Sequence, residues 1–119
     1  MAISRELWIS NLVGIAKDLG DSEHQRSRWL APDAAAWERP AELLCVAVDD
    51  YQLELFITEE GSTLSPKQLS IAVALLQQSV EYDCGPTGWR DPEEVLSDPV
   101  WERLRQTARD FVAAFQEKG

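Results

Sequence analysis

Few side chains in this sequence could do covalent chemistry. His24 is the single histidine, and Cys45 and Cys84 are the only thiols. A serine or cysteine nucleophile needs a base within hydrogen-bond reach, held in turn by a third group. His24 stands in the polar stretch "DSEHQRSRWL", where a solvated imidazole is expected. Cys84 follows Asp83 in an acidic neighbourhood, and nearby negative charge raises a thiol's pKa and blunts its reactivity. The run "CGPTG" lacks the Lys-Ser/Thr ending and the upstream strand of a phosphate-binding loop. Asp49-Asp50 and Glu59-Glu60 do not match the ligand spacing of a calcium loop. One histidine without a Cys-x-x-Cys pair leaves no zinc cluster. Two carboxylates can serve glycoside chemistry, but among 21 acids some close pair arises by chance. The residues therefore point to a non-enzyme with no catalytic residue, cofactor or metal. The cysteines lie far apart in different contexts and read as free thiols.

The carboxylates have a different use, which is to attract a cation. The net charge is −10. It is concentrated in residues 41–102, where thirteen acids face only Lys67 and Arg90. Direct binding to a phosphate backbone is disfavoured, because it needs Lys and Arg to displace counterions; a basic protein is the favoured partner. The candidate binding residues are Asp49, Asp50, Glu59, Glu60, Glu81, Asp83, Asp91, Glu93 and Glu94, with Trp89 among them. Trp89 sits in "EYDCGPTGWRDPEE", after a Gly-Pro-Thr-Gly run that cannot be helix. An aromatic ringed by charges has the anatomy of a binding anchor. Each feature also has a plainer use. Acidic residues near Asp91-Pro92 and Asp98-Pro99 suit helix N-termini, surface charge maintains solubility, and a loop tryptophan can fold back on the core.

The elements that must position these residues are read from periodicity. "SRELWISNLVGIAKDLG" is a helix capped by Ser4, with Trp8, Leu12, Ile15, Ala16 and Leu19 at helical spacing and a stop at Gly20. A second helix opens with Ser22 and Gln25 in capping-box spacing. "APDAAAWERP" is a connection closed by Pro40. "AELLCVAVDDYQLELFITEEG" reads as a β-hairpin turning at Asp49-Asp50, with Leu44, Val46, Val48, Tyr51, Leu53, Leu55 and Ile57 on one face. Cys45 then lies in a buried strand. Ser65, Pro66 and Gln68 open a central helix. Asp91-Pro92 and Asp98-Pro99 open two more, the last with Trp101, Leu104, Ala108, Phe111 and Phe115 on one side.

The expectation is a single α+β domain over residues 1–119, with helices around a small antiparallel hairpin or sheet in the order α-α-β-β-α-α. An apolar sheet face covered by helices or by a second copy allows a monomer or a homodimer. No apolar run reaches the length of a membrane span. The N-terminus lacks the pattern of a secretory signal, so a cytoplasmic location is expected.

In "ELLCVAVDDYQLELFI", "SPKQLSIAVALL" and "DPVWERLRQTA" the chain resembles the small acidic bacterial immunity proteins of polymorphic and contact-dependent toxin systems. These share a role more than a motif, so no residue role carries over. The resemblance implies a cytoplasmic inhibitor that binds one cognate toxin domain, often a basic nuclease. The alternatives are a non-enzymatic adaptor or regulatory domain, and an acidic nucleic-acid mimic that occupies a DNA- or RNA-binding protein.

Overall fold

The computed structural model describes residues 4–31, 40–84 and 90–116, and among these every regular element is helical. The elements are α1 (Arg5–Gly20), α2 (Ser22–Trp29), α3 (Pro40–Cys45), α4 (Leu53–Glu60), α5 (Pro66–Glu81), α6 (Pro92–Leu96) and α7 (Pro99–Gln116). A π-helical turn, Val46–Asp50, continues α3, and a 3-10 turn, Gly61–Thr63, follows α4.

The α+β expectation is therefore wrong, and the fault lies in residues 40–60. A short apolar run such as "LLCVAV" does not by its periodicity separate a buried strand from a helix. The burial pattern does. Leu53 and Phe56 are both fully buried, whereas Leu55 is 42% exposed. Strand alternation would put Leu53 with Leu55 and turn Phe56 away; positions three apart share a side only on a helix. Leu44 and Ala47, also three apart, are both buried. Asp49-Asp50 is not a hairpin tip but the end of the π turn, closed by the Tyr51 amide donating to the Val46 carbonyl at 2.8 Å. Gln52 then takes a left-handed conformation (φ 52°) that separates the turn from α4. Cys45 is exposed rather than buried, and both cysteines are free.

The other starts form as their caps dictate. The Ser4 hydroxyl accepts from the Leu7 amide, and Ser65 with Gln68 completes a reciprocal capping box before Pro66. The opening of α2 differs from expectation. Asp21 rather than Ser22 is the cap, accepting from the His24 amide, and Gln25 is used elsewhere.

α7 packs between α1 and α5. Trp101, Leu104, Ala108 and Phe111 form its buried stripe, all fully buried. Trp101 meets Trp29 of α2 and Tyr82, with ring centroids 5.6 and 5.0 Å away. At the other end Phe56 joins Trp8 and Phe115. One polar residue ties three helices together. The fully buried Gln25 donates to the Asp18 and Leu19 carbonyls of α1 and accepts from the Trp101 indole of α7. α1 and α7 approach closely at Gly20, where a Cβ would lie 2.9 Å from Arg109 Cγ; Arg109 Nε donates to the Gly20 carbonyl at 2.8 Å. No helix among the described residues is long and apolar enough to cross a membrane.

Candidate functional site

The helical form of residues 40–63 changes where their charges fall. This arm holds six carboxylates and no base: Glu42, Asp49, Asp50, Glu54, Glu59 and Glu60. An extended chain from residue 53 to 60 would span about 26 Å, whereas a helix rises only about 12 Å over the same residues. Asp49-Asp50 and Glu59-Glu60 thus stand at the two ends of one short helix rather than of a long strand. The outward side of α4 presents Glu54, Leu55, Thr58 and Glu59, all exposed. The carboxylates of Glu42, Asp50, Glu54 and Glu59 form no hydrogen bond or ion pair among the described residues. Asp49 accepts from the Cys45 thiol at 3.3 Å, and this bond, with lesser contributions from burial and the surrounding acids, raises the thiol's pKa. Glu60 turns back to Arg5 of α1 at 3.4 Å.

The second acidic group is built differently. Arg90, the one base of its segment, donates to the Tyr82 hydroxyl (3.0 Å), the Asp83 carbonyl (3.1 Å) and Asp98 (2.9 Å), with Glu94 at 3.8 Å. The Tyr82 hydroxyl also donates to Asp98 at 2.9 Å. Burial, reinforced by Asp98, pushes the Tyr82 phenol well above its ordinary range. Burial opposes ionisation of Asp98, but bonds from the Val100 amide, Tyr82 and Arg90 outweigh it and hold this carboxyl below the carboxylate range. Asp98 therefore closes a polar clasp between α5 and α7, beyond the capping role visible in sequence. Asp91 caps α6 through the Glu93 amide. Glu81, Asp83, Glu93 and Glu94 are exposed. Trp89 lies outside the described residues. α6 packs on α2 and α7, whereas the π turn and α4 pack on α1 and α5. The sequence-derived residues thus belong to two groups carried by different elements.

A third feature was not singled out in sequence. A groove of about 400 Å³ opens between α1, α2, α3 and the π turn. Ile15, Trp29, Leu43 and Val46 wall it; Ser10, Asn11, Asp18, His24 and Tyr51 supply its polar groups, and Gly14 leaves its floor open. Partial burial pushes the Asp18 carboxyl up, against the pull of His24 and with the push of Asp21. His24 is exposed in the first turn of α2, as its polar context suggests. The available signal was Gly14, an isolated glycine inside a periodic helix. Among the described residues no three His, Cys, Asp or Glu side chains converge as a metal site.

No protein-family model, curated protein or solved structure matches the chain.

Proposed function

We propose that the protein is a binding inhibitor of immunity type, which neutralises a basic toxin domain by docking it on the acidic arm of residues 40–63. The observation that carries this reading is the outer face of α4. There an exposed leucine, Leu55, is flanked by Glu54 and Glu59, on a segment without any base of its own. An apolar anchor supplies affinity, while unpaired carboxylates around it steer a cationic partner and select against anionic ones. The arm coincides with "ELLCVAVDDYQLELFI", the first of the three segments that resemble immunity proteins. The π turn at its base adds support, since such turns are frequent at functional sites.

The test begins with capture from the native lysate at low salt, elution at rising salt and identification by mass. The captured protein is then purified, and its toxic activity is measured with and without the chain. One basic partner, silenced by stoichiometric binding, is the expected result. The double variant E54K/E59K should slow association at low salt by roughly tenfold or more, with its helical content unchanged. Unaltered association would remove α4 from the interface. A partner whose activity survives saturation would end the inhibitor reading.

A further inference from the structure

Gly14 occupies the middle of α1, where glycine costs about 1 kcal/mol relative to alanine. None of the described residues requires it. A Cβ built there meets no atom of the described residues within 4 Å, so none of their helices needs the space. The open volume belongs to the groove, and around it the polar side chains are uncommitted. The side chains of Ser10, Asn11, Asp18 and Tyr51 make no hydrogen bond among the described residues, yet all line one depression walled by Ile15, Trp29, Leu43 and Val46. Apolar walls with a few convergent polar groups, in a volume of this size, are the general form of a small-molecule site.

We propose that this groove binds a small organic ammonium, a primary amine carried on an apolar body about the size of one ring. The walls and the space over Gly14 take the body. Asp18, the one carboxylate among the described residues of the lining, takes the ammonium, with the Ser10 hydroxyl and the Asn11 carboxamide as further hydrogen-bond partners. The −10 chain around the groove disfavours an anion. The same chemistry could arrive as a free amine or as a lysine side chain of a protein. The inference rests on α1, α2 and the base of α3, independently of the α4 face.

The test is titration of the full chain with phenethylamine, followed by amide and indole NMR shifts, beside phenylacetate, 2-phenylethanol and N-acetyl-lysine amide. Saturable shifts at Gly14 and the Trp29 indole are expected for phenethylamine, none for phenylacetate, and binding about fivefold weaker or less for 2-phenylethanol. Asp18→Asn, which keeps the backbone carbonyl that Gln25 uses, should weaken phenethylamine by about fivefold or more. Gly14→Leu should abolish binding while the helical spectrum persists. Stronger shifts with N-acetyl-lysine amide would make a protein lysine the source of the ammonium; stronger shifts with phenethylamine would make it a free amine. Shifts scattered away from the groove, or an Asp18→Asn variant that binds like the wild type, would overturn the proposal even if Gly14→Leu failed to fold.

Discussion

Replacing Gln25 by leucine is the sharpest test of how this fold is held. Leucine nearly conserves the volume, so little cavity forms, and the cost comes from polar groups left without partners. The Trp101 indole loses its acceptor at 3.1 Å, and the Leu19 carbonyl loses a donor at 2.9 Å. Trp101 is fully buried, so water cannot replace that acceptor. The Asp18 carbonyl also loses a 2.9 Å bond, but it belongs to an exposed residue that water can reach. At about 1–3 kcal/mol for each orphaned buried group, the two buried losses sum to about 3 kcal/mol. For 119 residues the unfolding entropy is about 250 cal/mol/K, so the melting temperature should fall by about 12 °C. Urea titration followed by far-UV circular dichroism measures the first quantity and a thermal scan the second. A double-mutant cycle with Trp101→Phe isolates the pair, and the double variant should be more stable than the two single losses predict by about 1–2 kcal/mol. A Gln25→Leu protein within about 0.5 kcal/mol of the wild type, or strict additivity in the cycle, would refute this account of how α1, α2 and α7 are joined.

Two further substitutions probe the clasp and the arm. The folded state raises the Tyr82 pKa, so it binds this proton more tightly than the unfolded chain does, and stability must fall as pH rises above about 10, the unfolded value. Tyr82→Phe should be less stable than the wild type at pH 8 by about 1–2 kcal/mol, through the lost bond to Asp98. That gap should narrow between pH 10 and 11 in parallel urea titrations, and a constant gap would exclude the phenol as its source. Gln52→Gly relieves the positive φ before α4 and should raise stability by about 1 kcal/mol; a loss of similar size would match the β-hairpin instead, where glycine weakens a strand.

The elements that could be read from sequence are those with a cap and a long period together. α1, α5 and α7 each carry sixteen or more residues of apolar repeat, and Ser4 and Ser65 mark two of their starts with side chains that do what their type suggests. The arm could not be read in this way because its helices are too short to display a period. α3 has six residues and α4 eight, and β-branched residues between them imitate strands. Two local signs favoured helix even so. Pro40 stands at the first residue of α3, where its missing amide proton costs nothing. Leu53 and Phe56 also stand three apart, a spacing that no strand puts on one face.

Charge density can be counted along a chain, but charge availability cannot. The segments 40–63 and 81–98 both read as acidic, yet they differ in what remains to be offered. In the second, Arg90 reaches Asp98, Glu94, Tyr82 and the Asp83 carbonyl, so the one local cation is spent on internal closure. In the first, Arg5 takes Glu60 and the Thr63 hydroxyl, and among the described residues Glu42, Asp50, Glu54 and Glu59 have no cationic partner and keep their charge for solvent or for a partner. Surface carboxylates already paired contribute little to steering, because their field is partly cancelled at short range. The proposed cationic partner should therefore read the helical arm before it reads the loop, although the loop has the denser string of acids in sequence.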